Sequence, residues 1–192
     1  MRRFLLLVAI SIMPLVSSAQ NPLEAESTQR GLGYSLGYYA FKGGHPGMQV
    51  GVERCLAQQH NFQTIGQVFL QFYSQSKRQT GVGLNARVGQ RYTAGFGLIA
   101  ESYLGIGPEL TVHQTEIWDF DTEETTISQT TQLGVLPNLA FGLGYDFNRK
   151  LNLPFTSFCR ANIAWLIPDR NLVFQTSLNW EVGIVYSPSG NQ

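Results

Sequence analysis

Lysine is almost missing from this chain: Lys42, Lys77 and Lys150 are the only three in 192 residues, and each falls at a turn or the end of a strand-like segment. A sheet face meant for bulk water would carry several lysines, so its absence argues against a solvated sheet. Cysteine is nearly as rare. Cys55 and Cys159 fall on opposite faces of the alternating pattern described below, which argues against a disulfide between them. Formal charge is balanced at zero, with 13 basic and 13 acidic residues and no basic stripe, which excludes a nucleic-acid surface. No apolar run reaches the roughly 20 residues of a membrane-spanning helix. Residues 1–19 have another use for their apolar stretch. Met1-Arg2-Arg3 is a basic start, Phe4 to Ile10 is a short apolar core, and Ser17-Ser18-Ala19 offers small residues for cleavage. The reading is a leader over 1–19 and one domain over 20–192.

What the chain does have is a period of two. Leu172, Phe174, Leu178, Trp180, Val182, Ile184 and Tyr186 fall on one side of a strand, and Gln175, Ser177, Asn179 and Glu181 on the other. The same pattern recurs and predicts strands at about 33–42, 46–57, 63–75, 80–91, 95–116, 127–147, 153–166 and 172–187. Eight strands joined in sequence close into an all-β, eight-stranded antiparallel up-and-down barrel. The connections sort into two sets. Those around His60, Thr93 and Asn148 lie on the side of the termini, and those around Gly43, Lys77, Asp119 and Pro168 on the other, which includes the longest. Short turns at one end and longer loops at the other are the pattern of a transmembrane barrel.

Alternation alone does not say which face is inside, because a soluble barrel with an apolar cavity has the same period. The polar face decides. It is built from Gly37, Gly51, Gly83, Gly89, Gly97, Gly105, Gly107, Gly142 and Gly144 with Gln49, Gln67, Gln71, Asn85, Asn138, Gln175 and Asn179, small and neutral residues suited to a crowded lumen. Its charges are Glu53, Arg87, Arg91, Glu101, Glu109, Asp146, Arg160 and Glu181, of both signs on neighbouring strands. They read as lumen ion pairs, with Arg87 and Glu101 the expected cross-strand pair. On the apolar face Tyr34, Tyr92, Phe96, Tyr145, Phe147, Phe155 and Tyr186 cluster at the strand ends nearest the termini, where an interfacial aromatic girdle belongs. Phe72, Trp165 and Phe174 fall toward the other rim. Arg54 and Gln90 alone break the apolar face, both near the terminal end, where such residues cost little.

In leader, strand count, girdle and charged lumen the chain resembles the small eight-stranded outer-membrane β-barrel proteins of Gram-negative bacteria, of the OmpA and OmpX kind. Gly142-Leu143-Gly144-Tyr145-Asp146-Phe147 is similar to their glycine-aromatic strand ends. The resemblance implies insertion in outer-membrane lipid as a monomer, with no cofactor. It differs in one respect, because Tyr186 is followed by six further residues.

Three groups could carry chemistry. The lumen charges Glu53, Arg87, Arg91, Glu101, Glu109, Arg160 and Glu181 could gate an ion path, although an eight-stranded interior is normally filled by its own side chains, which favours a structural plug. Ser102, His113 and Glu109 could form a hydrolytic set, but alternation puts Ser102 outside and the other two inside. The acidic loop Asp119 to Glu124, with Glu116 nearby, could meet an extracellular partner; it lacks the pattern of a calcium loop. His45 and His60 stand at opposite ends, too far apart to share a metal. The reading is therefore an integral outer-membrane barrel with a structural or surface-recognition role, and no enzyme. A narrow or gated pore, or a secreted soluble barrel binding a small apolar ligand, are the alternatives.

Overall fold

The computed structural model describes residues 31–42, 44–75, 78–119, 124–168 and 175–188, so the leader lies outside the described residues. Its strands are β1 (Gly33–Phe41), β2 (His45–Gln59), β3 (Phe62–Gln75), β4 (Gln79–Thr93), β5 (Leu98–Ile106), β6 (Pro108–Asp119), β7 (Glu124–Val135), β8 (Asn138–Asp146), β9 (Phe155–Leu166) and β10 (Gln175–Tyr186). A single helical turn, α1 (Asn148–Leu151), joins β8 to β9.

These ten segments make eight staves. β5 and β6 form one stave and β7 and β8 another, because the register runs unbroken through both gaps. Ile106 faces Ala86 and Glu109 faces Gly83 across β4; Leu104 faces Leu139 and Pro108 faces Val135 across the hairpin. A proline marks each break, Pro108 or Pro137, and its missing N–H removes one rung of the ladder. All pairings are antiparallel, and β1 bonding to β10 closes the sheet.

The pairing also fixes the pitch of the barrel. Starting at Phe62 and stepping across partners, the path runs through Tyr92, Ala100, Leu143, Cys159, Val182, Tyr38 and Met48 and returns to β3 at Phe72. It comes back ten residues further along the strand. For eight staves that shear gives a strand tilt of about 40°.

With register fixed, parity sends each side chain in or out. Leu36, Leu84, Leu104, Leu143 and Val182 are exposed on the outer surface, Leu104 by 64%, whereas Asn85, Glu109, Asn138, Asn179 and Glu181 are at most 1% exposed. An apolar exterior around a polar interior is the reverse of a soluble carrier and removes the reading of an apolar ligand cavity. The girdle is present at the rim of the termini. Tyr34 faces Tyr186, which faces Phe155, and ring centroids lie 5.3 Å apart for Phe155 and Tyr186 and 5.1 Å for Tyr145 and Phe147. Phe62, which the sequence pattern did not single out, joins it at 5.0 Å from Tyr92. Phe72, Phe141 and Trp180 are exposed further along the staves; Phe174 and Leu172 lie outside the described residues.

Candidate functional site

One inward row carries much of the lumen. Stepping across partners from Arg91, it passes Glu101, Gly142, Arg160, Glu181, Tyr39, Gly47 and Tyr73. Because the staves tilt, this row climbs as a spiral, so residues adjacent in it sit at successive heights in the barrel.

Along it the charges alternate without a break. Arg91 clamps Glu53 with two bonds, Nη1 to Oε1 at 2.8 Å and Nη2 to Oε2 at 3.0 Å, and donates Nε to Glu101 at 3.1 Å. Glu101 accepts from Arg160 Nε at 2.5 Å, and Arg160 Nη1 lies 3.8 Å from Glu181. Glu181 is clamped in turn by Arg87, at 2.7 and 2.9 Å. The order Glu53, Arg91, Glu101, Arg160, Glu181, Arg87 holds three charges of each sign and sums to zero. Taking any one ion out of water costs several kcal/mol unless partners replace the water, and here each ion has at least one.

Neutral groups complete the chain. Gln67 donates to Glu53 at 2.8 Å and Asn162 to Glu181 at 3.0 Å, while Arg87 Nε donates to Asn138 at 2.7 Å. The Tyr103 hydroxyl donates to Glu101 at 2.9 Å and accepts from Arg91 at 3.1 Å. Aromatic faces hold the flat guanidinium groups. Arg160 Cζ lies 3.8 Å from the ring centroid of Phe158 and 5.0 Å from that of Tyr103, and Arg87 Cζ lies 4.3 Å from that of Phe69.

Glycines make room for these long side chains. A Cβ on Gly142 would stand 2.6 Å from Arg160 Cγ and 2.9 Å from the Cys159 carbonyl oxygen, inside contact distance of both. Gly142→Val is therefore expected to push Arg160 off Glu101 and to cost about 1–3 kcal/mol, the range for overpacking, which a lowered midpoint of urea unfolding in lipid vesicles would show.

The structure rearranges the expected pairs. Arg87 and Glu101 are not partners: Glu101 stands opposite Arg91, and Arg87 stands opposite Gly105, whose missing side chain leaves its guanidinium free to reach Glu181. Glu109 is apart from the ion chain. It accepts from Tyr73 at 2.8 Å, Gln71 at 3.0 Å and Thr111 at 3.3 Å, with no basic group in ion-pair distance among the described residues. Asp146 lies at the rim, 4.0 Å from Arg149 of α1. Ser102 faces outward between Gln90 and Phe141, so it does not meet His113 or Glu109 inside. Cys159 is exposed and Cys55 packs beside Ile65 and Tyr103, with no disulfide between them among the described residues. His45 opens β2 at one end and His60 follows its other end. In the loop Asp119 to Glu124, residues 120–123 lie outside the described residues; the backbones of Asp119 and Glu124 pair with each other.

The sequence reading missed the apolar part of the lumen. Tyr39, Ile65, Phe69, Tyr73, Ile99, Tyr103 and Phe158 are all buried inside. Their signal is parity, since Phe69 and Tyr73 share it with Gln71, and Phe158 with Arg160.

A closed eight-stave barrel with apolar outside, aromatic rim and an ion-paired lumen has the fold of the small outer-membrane β-barrels. No family model matches the chain, and no curated protein matches it. Solved structures similar to it include Ail, the attachment invasion locus protein of Yersinia pestis, at 13% identity over 82% of this chain and 98% of that one, with a TM-score of 0.48. Neisserial surface protein A (NspA) is similar at 10% identity over 81% and 95% of the two chains, TM-score 0.49. The N-terminal β-barrel domain of Pseudomonas aeruginosa OprF is similar at 16% identity over 82% and 97%, TM-score 0.47.

Proposed function

We propose that the protein is an integral outer-membrane barrel, inserted as a monomer after loss of residues 1–19, whose role is structural or in surface recognition through its outer loops. The observation that carries this reading is the inversion of the barrel, apolar outside and charge-paired within. A filled lumen leaves the loops as the part that differs from its surroundings. The hairpin of β6 and β7 supports the loop reading: β4 leaves it at the Gln79–His113 pair, yet its own ladder continues to Asp119 and Glu124. That is six more residues on each arm, about 20 Å along the strand, carrying the acidic segment Asp119 to Glu124 as the proposed partner surface. The lumen charges act as a plug in this reading. A gated pore is the second reading, and it rests on the same ion chain opening.

Fractionation of cells expressing the full chain tests the location. The protein should be found in the outer membrane as a detergent-extracted band whose gel mobility shifts on boiling; a soluble band would exclude the proposal. In planar bilayers the folded protein is expected to give no discrete conductance steps, and regular steps would move the assignment to a pore.

A further inference from the structure

We propose that the outer face of β2 to β5 carries a docking patch for an anionic glycerophospholipid of the leaflet at the terminal end, with Arg54 meeting its phosphate and Thr64, Gln90 and Ser102 its ester oxygens. The inference rests on the outer-membrane reading above and names a lipid that the barrel selects there. It starts from the two residues that break the apolar face, Arg54 and Gln90, to which the lumen gives no use.

Charge is the first observation. Arg54 is exposed, and among the described residues it is the one charged side chain on the outside of the staves between the girdle and the far rim. It stands in no ion pair among those residues. The described carboxylates lie elsewhere. Glu53, Glu101, Glu109 and Glu181 are buried in the lumen, Asp146 lies near Arg149, and Glu116, Asp119 and Glu124 belong to the far hairpin. A guanidinium on a lipid-facing wall without a carboxylate is complemented by a lipid phosphate.

The second is placement. Register sets Thr64 opposite Gln90 and Gln90 opposite Ser102, one outward row on three successive staves. Arg54 stands on the next stave, opposite Gly66, which is two residues along β3 from Thr64. Ser157, on β9, stands apart from this group. Thr64, Gln90 and Ser102 are two to four residues from Phe62, Tyr92 and Leu98 at the girdle, so with a tilt near 40° the patch lies within about 10 Å of the girdle level. Aromatic girdles sit at headgroup level, and an arginine stem can lie along apolar surface while its head reaches back to that level.

The third is the sense of the hydrogen bonds. Gln90 Nε2 donates to Thr64 Oγ1 at 3.0 Å, which leaves the hydroxyl hydrogen of Thr64 and the second amide hydrogen of Gln90 to give away, together with those of Ser102 and Arg54. Donors without a carboxylate match phosphate and ester oxygens, and they offer nothing to the ammonium of a zwitterionic headgroup. Leu56 leans over Gly66, its Cδ1 3.2 Å from where a Cβ would stand. The patch is therefore a shallow face on which a headgroup lies, with no pocket to enter. Lipid A carries phosphates too, but it belongs to the leaflet at the other rim.

The test uses the full chain folded in a maltoside detergent and offered equal amounts of phosphatidylglycerol, phosphatidylethanolamine and lipid A, with retained lipid counted by native mass spectrometry. One phosphatidylglycerol is expected to be held in preference to the others. Arg54→Gln should weaken its retention about fivefold, the effect of one basic side chain at an anionic surface, and Arg54→Lys should keep most of it. Thr64→Val with Gln90→Leu should weaken it by a smaller factor. Arg149→Gln with Lys150→Gln, which removes two charges of α1 at the same end, should leave it unchanged. Gel mobility before and after heating shows that each variant folds. Wild-type retention in Arg54→Gln would overturn the proposal and leave Arg54 as a side chain that reaches water. An equal loss in the α1 variant, or a preference for phosphatidylethanolamine or lipid A, would overturn it as well. A soluble band on cell fractionation would remove the outer-membrane reading itself, whereas an inserted barrel without lipid preference removes this inference alone.

Discussion

Glu181→Gln is expected to destabilise the barrel by about 3–5 kcal/mol, the range for breaking a buried ion pair from one side. Glu181 is fully buried and joins the last two arginines of the ion chain: Arg87 holds both its oxygens, Arg160 lies 3.8 Å away, and Asn162 donates to it. An amide in its place keeps one acceptor oxygen but loses the charge and turns an NH2 toward the guanidinium, so Arg87 is left beside neutral groups alone, the side chain of Asn138 and the ring of Phe69 among them. Arg87→Met removes the other half. The double variant should recover about 2 kcal/mol or more relative to the sum of the singles, because it removes both charges that would stand alone. Arg87→Met with Glu101→Gln makes the comparison pair. The two residues share no bond and face different partners, so their coupling should be the smaller by a wide margin. Urea unfolding in lipid vesicles at fixed pH measures the five variants against the wild type. Single variants costing under about 1 kcal/mol would mean that water reaches these charges freely, and the lumen would then be a wet path instead of a plug.

The comparison pair also shows where sequence reading stopped. Period-two alternation is a local signal, so strand positions and the inward set of charges followed from it, down to the single staves across Pro108 and Pro137. Partnership between charges is not local. It depends on register, and the register around Thr93 and Ala94 set Glu101 against Arg91 and left Arg87 facing the glycine at 105. A long arginine beside a glycine can cross the lumen instead of bonding to the next strand, and that reach ends on β10, 94 residues away in sequence. The isolation of Glu109 was hidden for the same reason. Its nearest neighbours in the barrel, Gln71 and Tyr73, are set by shear, and nothing in the sequence around Pro108-Glu109-Leu110 states that no arginine comes within range. Tyr39, Phe69 and Phe158 go unnamed in the sequence pattern on a different ground. Aromatic side chains fit a lipid belt, but a guanidinium group buried in a narrow tube needs a flat face to lie against; Phe69 and Phe158 supply it, while Tyr39 packs with Tyr73 and Phe41 inside the lumen.

Leu104→Arg should cost about 2–4 kcal/mol in lipid vesicles, the penalty for arginine at the middle of a bilayer. Leu104 is the outward residue six positions beyond Leu98, which pairs with Tyr145 in the girdle. At about 3.4 Å per residue and a tilt near 40°, it stands about 15 Å above that rim, close to the middle of a belt of about 25 Å. Its 64% exposure means that nothing in the protein covers it, so the penalty comes from the surroundings alone. Thr64→Arg is the matched control, outward-facing but only two residues from Phe62 at the rim, where the cost should fall to about 0–1 kcal/mol. The same two variants in a solvated barrel would be near neutral, because an exposed leucine in water loses little by becoming charged. A depth-dependent cost in vesicles therefore tests the lipid belt itself, independently of where the protein is found in the cell. Equal costs at both positions would place the apolar face against something other than hydrocarbon.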